Sequence, residues 1–261
     1  MLYTEEFGMN AGNISHSHEI EVKLRQPTWD RFLRLFFLKN EFSILRSLEY
    51  EILTEHPISG CILDIGGGAA SDYYERIKEW AEIDEDFIYE SVNIDKSAKP
   101  TYVVEPGDDL PVPSGKYDIA ISLNTFEHIY DLQQILSEVH RILNPQGCLL
   151  FTVPFVFRVH GCPNDYIRGT PSFWHNMLIE NKFQDIAVEA INWGPFSTGL
   201  TVSGIPGPLK FVRRNLALMI DIIYFQTRYA KQLKTTWKQN HQICSAPLGY
   251  LIRAQKKLDI L

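Results

Sequence analysis

Residues 64–70 read Asp-Ile-Gly-Gly-Gly-Ala-Ala and follow a short apolar run, Cys61–Ile65, so a strand runs directly into three consecutive glycines. Glycine there lets the chain turn tightly and lets backbone approach a ligand closely. A helix opening just after the turn presents N–H groups with no intrahelical partner, and those suit a polar or anionic ligand. Ser71 or Asp72 could cap such a helix. A strand, glycine turn and helix in that order open a sheet that helices cover, and this unit constrains the chain more than any other feature.

The residues around it continue the alternation. Strand-like segments fall at 87–94, 102–104, 117–123, 148–153, 183–193 and 248–254. Between them, residues 131–143 carry Leu132, Ile135, Leu136, Val139, Ile142 and Leu143 on one helical stripe, and Asn144-Pro145-Gln146-Gly147 stops that helix. Thr170 caps a further helix with Pro171 at its first position. The part before about Glu55 reads as helical, with Trp29, Phe32, Leu33, Phe36 and Phe37 at helical spacing. The expected division is an N-terminal helical cap over 1–55, a core over 56–193 plus 246–257, and an insertion over 194–245.

The chain has 261 residues, enough for one α/β domain with additions, and its 45% hydrophobic content allows a proper core. A net charge of -7 argues against a nucleic-acid binder. The four cysteines, Cys61, Cys148, Cys162 and Cys244, form no C-x-x-C pair, so they read as reduced thiols. The start of the chain is acidic and polar, unlike a secretory signal. The longest apolar run, 216–225, is broken by Asp221 and too short to span a bilayer. A soluble cytoplasmic protein is expected.

An acid at the end of the second strand can accept from ribose hydroxyls. Asp95 stands there, about ten residues beyond the usual spacing, with the excess assigned to the acidic loop 82–86. Asp64 lies within the turn motif. The run Gly107-Asp108-Asp109-Leu110-Pro111 follows the third strand, and Lys116-Tyr117-Asp118-Ile119-Ala120 opens the fourth. LDIGGGAA, NID, GDDLP, KYDIAISLNTFEHI, VHRILNPQG and CLLFTVP follow in that order within the segment Ile62–Phe183, roughly half the chain.

This series resembles the class I S-adenosylmethionine-dependent methyltransferase family, in its small-molecule, type-11-like branch. Ala70 stands where the family usually has glycine. The resemblance implies a Rossmann-like α/β fold: a seven-stranded, mostly parallel sheet of order 3-2-1-4-5-7-6, with the last strand antiparallel. To that fold the N-terminal and inserted C-terminal helices are added. It implies S-adenosylmethionine as cofactor. By the same resemblance Gly66, Gly67 and Gly68 lie at the methionine part, and Asp64 orients the turn or holds the amino group. Asp95 binds ribose, and Asp108 or Asp109 accepts from the adenine amino group. Leu110 packs on the ring, and Asn124 sits near the sulfonium.

The sulfonium is already a good methyl donor, so the protein must chiefly align the acceptor and exclude water. A hydroxyl acceptor also needs its proton removed, which favours a histidine or carboxylate base. His160 is the first candidate and His128 the second. The Glu127-His128 pair equally suits a structural role in its loop. Some quinone-precursor O-methyltransferases hold a divalent cation with a similar acidic-His set. The extra acidic ligand is not evident in the sequence, so no metal is expected. The run His160 to Thr170 resembles a His-x-x-Pro-x-Asp-Tyr-x-Arg-x-Thr pattern of a bacterial subgroup. Asp165, Tyr166 and Arg168 are its candidate substrate contacts. In the alternative reading Asp165 pairs Arg168 and pins the loop, with Tyr166 packed beneath. His16 and His18 read as a solvated tail.

Residues 210–238 carry seven basic residues and one acid, Asp221, and centre on an apolar stretch. Such a helix caps the substrate pocket, pairs with another helix or copy of the chain, or rests on an anionic lipid surface. The expected function is methyl transfer, at oxygen first, to a small molecule or sugar. The alternatives are an NAD(P)-dependent oxidoreductase or a non-catalytic, membrane-peripheral protein that keeps the fold. Against the oxidoreductase, Gly66-x-Gly68-x-x-Ser71 lacks the last glycine of that fingerprint, and no Tyr-x-x-x-Lys pair is seen.

Overall fold

In the computed structural model the described residues are 20–37, 43–80, 87–161, 163–228 and 246–258. His16, His18, Cys162, Cys244, the loop 82–86 and the basic residues beyond 228 lie outside them.

The strands are β1 (Val22–Lys23), β2 (Cys61–Ile65), β3 (Ile88–Asn93), β4 (Tyr102–Val103), β5 (Tyr117–Leu123), β6 (Leu143–Pro154), β7 (Phe183–Ile191) and β8 (Gly249–Lys256). They form one sheet in the order β4-β3-β2-β5-β6-β8-β7-β1. Only β8 runs antiparallel to its neighbours, β6 and β7. Setting β1 aside, this is the expected 3-2-1-4-5-7-6 order. The sheet has eight strands rather than seven, because β1 adds to the outer edge of β7 in parallel, pairing Val22 with Val188 and Lys23 with Glu189. Two residues are too few for a period-2 pattern, so this strand was not legible in a region read as helical throughout. Charge holds it: Arg25 donates to Glu189 and to Glu55, whose Oε2 is 2.7 Å from Nη2.

Helices cover both faces. On one, α4 (Leu132–Ile142) and α5 (Pro171–Glu180) bury Leu136, Val139, Trp174 and Leu178 against the β6 and β7 part of the sheet. On the other, α1 (Trp29–Phe37), α2 (Ile44–Leu53), α3 (Tyr74–Trp80) and α7 (Lys210–Arg228) bury Leu35, Leu48, Ile77, Leu218 and Ile222. Thr170 caps α5 as expected, accepting from Phe173 N at 3.3 Å, and Asp131 caps α4, accepting from Gln134 N at 3.0 Å.

Three local expectations are corrected. Helix α3 opens at Tyr74 rather than near Ser71 or Asp72. The Ser71 N–H turns back to Gly68 O at 2.8 Å, and the Asp72 carboxylate takes Arg46 instead. Asn144-Pro145-Gln146-Gly147 does end α4, but β6 already begins at Leu143, and the four residues form an irregularity within it. Asp221 is no mere interruption of an apolar helix. It is fully buried, and its carboxylate accepts from Phe196 N at 2.9 Å and Ser197 N at 2.8 Å, the opening N–H groups of α6 (Pro195–Val202).

Helix α7 packs against α6 and α1, and Arg214 reaches Ser47 on α2 at 3.0 Å. It supports α2 from behind. The residues that line the large cavity described below include α2 and none of α7. Among the described residues, no helix is long and apolar enough to cross a membrane.

Candidate active site

The strand β2 ends where β3 and β5 end, so the turn that follows it opens at the carboxyl edge of the parallel strands, where ligands of open α/β sheets bind. Gly66 has φ 90°, and a side chain there would meet Thr125 Oγ1 at 2.1 Å. Asn93 clamps the turn by donating to Gly66 O at 2.7 Å and Gly67 O at 3.1 Å. Asp64 is buried beneath it and accepts from the Tyr89 hydroxyl at 2.7 Å. Burial pushes its carboxyl up to about 7.

The three glycines have unequal situations. Gly66 faces a cavity of about 670 Å³, whereas Gly67 sits on the Asp64 carboxylate and Gly68 against the Ala98 carbonyl. The amides expected to be free for a ligand are partly used, since Ala69 N donates to Lys99 O at 3.2 Å and Ala70 N to Ala98 O at 2.9 Å. Asp64 likewise does not line the cavity; of its two expected roles, the geometry fits orienting the turn.

Gly66, Asp95, Asp108 and Leu110 line the cavity. Asp95 accepts from Ser97 N at 2.8 Å, which holds its carboxylate at the mouth. Those Ser97 hydrogen bonds keep it below the usual carboxylate range. Of the two acids left open by the sequence, Asp108 lines the cavity and Asp109 does not. Leu110 is buried, its N–H fixed on Glu138 Oε2 at 2.9 Å.

Asn124, Glu127, His128, His160 and Tyr166 line the same cavity. Asn124 has φ 51° and donates to both oxygens of Glu49, at 2.8 and 3.0 Å. Glu49 comes from α2, is fully buried, and is pushed by that burial up to about 7. Glu127 is fully buried as well; neither carboxylate oxygen has a hydrogen-bond partner, and burial pushes it up to about 8. His128 Nδ1 meets the Asn164 carbonyl, and burial lowers its tendency to protonate. His160 Nδ1 lies 3.1 Å from its neighbour's carbonyl, Arg158 O, and 3.4 Å from Asp165 Oδ2. The two imidazoles meet edge to face at 5.0 Å.

Asp165 and Arg168 do not reach the cavity. Their side chains are spent on each other: two short guanidinium–carboxylate contacts, at 2.5 Å each, pin the loop, and Asp165 also takes His160 N at 2.9 Å. Burial would raise the Asp165 carboxyl, but Arg168 and His160 together outweigh it and hold it low. Tyr166 is not packed beneath the loop; it is exposed, stacks on Tyr130 at 5.5 Å and lines the cavity.

Sequence reasoning did not pick out Glu49, Tyr73, Asn93 or Thr125. Asn93 lies two residues before Asp95 and could have been suspected from its strand-end position. Glu49 could not, since it sits among apolar residues of α2 with nothing local to mark it.

Residues 63–151 match a family described as "Methyltransferase domain". A malonyl-[acyl-carrier protein] O-methyltransferase of Coxiella burnetii is 37% identical over 95 residues, which is 35% of this chain and 33% of that protein. A sarcosine/dimethylglycine N-methyltransferase of Halorhodospira halochloris is 29% identical over 93 residues, 31% of this chain and 33% of that one. The chain thus matches about a third of the length of these curated relatives. A SAM-dependent methyltransferase from Archaeoglobus fulgidus has the same fold, with a TM-score of 0.50 at 16% identity over 81% of this chain and 94% of that one. The [4+2]-cyclase SpnF does so too, at 0.50 and 14% identity over 82% of each chain. The class to which segment 63–151 is similar is therefore that of methyltransferase domains. The fold alone does not fix the reaction, since a cyclase shares it.

Proposed function

We propose that the protein binds S-adenosylmethionine and transfers its methyl group to an oxygen of a small-molecule or sugar acceptor. One observation carries this reading: the glycine turn and the Glu127, His128 and His160 group open into the same cavity of about 670 Å³. Gly66, Asp95, Asp108 and Leu110 take the cofactor at one end. The methyl group then points towards Asn124, and the acceptor lies between Asn124, the two histidines and Tyr166. Either histidine can receive the hydroxyl proton as the oxygen attacks the methyl carbon and the carbon–sulfur bond breaks towards sulfur. His160 is preferred, since its side chain is 41% exposed and so open to an incoming acceptor.

Calorimetry with S-adenosylhomocysteine and with NAD tests the cofactor. Binding of the first and not of the second is expected; a folded protein that binds neither would sink the reading. Turnover with candidate acceptors in His160→Ala tests the base. Turnover should fall by about 10²–10⁴ with little change in cofactor affinity, and unchanged turnover removes His160 from that role.

A second feature favours a surface-bound acceptor. Leu209 and, on helix α7, Phe211, Val212, Leu216 and Ile223 face outward beside Phe36 and Phe37 of α1, the last 81% exposed. Lys210 and Arg213 border this apolar stripe. An apolar face with a basic rim suits an anionic lipid surface. Co-sedimentation with vesicles containing an anionic phospholipid, and its loss in Phe37→Glu with Leu216→Glu, tests that contact.

A further inference from the structure

The sequence shows no evident further ligand for the Glu127-His128 pair. The fold supplies one. His160, from the loop after β6, joins Glu127 and His128 so that one ligand atom of each lies within 4.8 Å of the others. We propose that Glu127, His128 and His160 form a site for a divalent transition-metal ion of the zinc class at the acceptor end of the cavity.

Three observations support it. First, Glu127 is fully buried and lines the cavity, yet both its carboxylate oxygens lack any partner. A buried carboxylate is retained only when a cation or donor meets it. Second, the histidines are oriented as ligands. A carbonyl only accepts, so His128 Nδ1 carries the hydrogen that faces Asn164 O, and the lone pair falls on Nε2. That Nε2 lies 3.6 Å from Glu127 Oε1. This is too long for a hydrogen bond. It matches two ligands on one tetrahedral ion with bonds of about 2.1 Å. Third, His160 Nδ1 is placed between Arg158 O at 3.1 Å and Asp165 Oδ2 at 3.4 Å. A metal-bound histidine generally gives its other N–H to a carbonyl or carboxylate, and both histidines have such a partner.

Two imidazoles and one carboxylate suit zinc or a neighbouring transition metal better than magnesium or calcium, which favour all-oxygen sets. Three protein ligands leave a position open to the cavity. With the ion bound, both imidazoles would be ligands and neither would be the free base proposed above; an acceptor's hydroxyl or carboxylate oxygen would complete the set, which restricts acceptors to those with an oxygen that can reach the ion. That role rests on the methyltransferase reading; the metal site itself does not.

The test uses the full-length protein, stripped with a chelator and dialysed. Zinc chloride is titrated calorimetrically, cobalt(II) is followed by its visible absorption, and magnesium serves as the hard-cation comparator. One equivalent of zinc with no magnesium binding is expected. His160→Ala and Glu127→Gln should each weaken zinc by more than about tenfold, and Asp165→Asn, which touches no ion, by about tenfold. Absence of zinc binding overturns the site. So does stoichiometric binding that His160→Ala leaves unchanged, since the metal would then sit on other histidines. Should Glu127→Gln fail to fold, His160→Ala decides, because its side chain is on an open loop. S-adenosylhomocysteine affinity measured on the same samples separates the two readings. Cofactor binding without zinc sinks only the metal site; zinc binding without cofactor sinks only the methyltransferase reading.

Discussion

The side-chain amide of Asn124, at the end of β5, donates to both carboxylate oxygens of Glu49 on α2, at 2.8 and 3.0 Å. The pair ties the helical addition to the strand end that carries the site. It also spends the Asn124 amide, so Asn124 shapes the cavity wall while its donors serve Glu49.

Burial first of all raises Glu49 from 4.5 to about 7, against the lowering by the Asn124 hydrogen bond. The folded state therefore holds this proton more tightly than the unfolded one. Stability through this group is full below about 4.5, falls as pH rises towards 7, and is lowest above it. The loss amounts to roughly 3 kcal/mol at about 1.4 kcal/mol per pK unit. Glu49→Gln should flatten that slope and be the more stable protein at pH ~8. Urea unfolding at two pH values on either side of the window checks this; parallel pH dependences in both proteins would rule it out.

In the glycine turn, Gly66→Val meets Thr125 Oγ1 at 2.1 Å from a φ of 90°, and Gly68→Ala meets the Ala98 carbonyl oxygen at 2.2 Å. The damage comes from strain and from displacing the neighbouring wall of the turn, not merely from filling the space a ligand would use. Both variants should lose S-adenosylhomocysteine affinity by at least about tenfold, or about 1.4 kcal/mol. Gly199→Ala, with nothing within 4 Å, is the neutral comparison. Wild-type affinity in Gly66→Val would detach the turn from the site.

Asp221 caps α6 from a distance of 24–25 residues through two backbone N–H groups. Removing its carboxylate leaves those donors buried and unpaired. Asp221→Ala should cost about 2–3 kcal/mol. Thermal unfolding reads this directly, and an unchanged midpoint would mean that water replaces the carboxylate.

The edge strand β1 rests on Glu189. Burial alone would raise this carboxyl, but the His56 imidazole 3.7 Å away and the hydrogen bond and charge of Arg25 outweigh it and hold it at about 2. A depressed carboxyl stabilises the fold above its ordinary pKa near 4.5 and loses that contribution as pH falls towards 2. Arg25→Ala should remove most of this acid-sensitive contribution, roughly 1–3 kcal/mol near neutrality. The variant should also show faster amide exchange at Val22 and Lys23; unchanged exchange would show that the ion pair does not secure the strand.

The sequence by itself determined the alternating framework. Local hydrophobic periods, the cap Thr170, and the stop at Asn144 act within a few residues, so their effects can be read without the fold. The order of the strand ends, with Gly66, Asp95, Asp108 and Asn124 facing one side, followed from the same framework. Tertiary structure decided what long-range contact decides. It chose Asp108 over Asp109 for the cavity and turned Asp165 and Arg168 inward on each other. It made Asp221 a cap and paired a two-residue strand to β7. It also brought His160 to Glu127 and His128, and Glu49 to Asn124. Burial and pairing are properties of neighbours in space, and 32 residues of chain separate His128 from His160. The glycine turn was therefore visible from the start, while the group that faces it across the cavity emerged only when the chain folded.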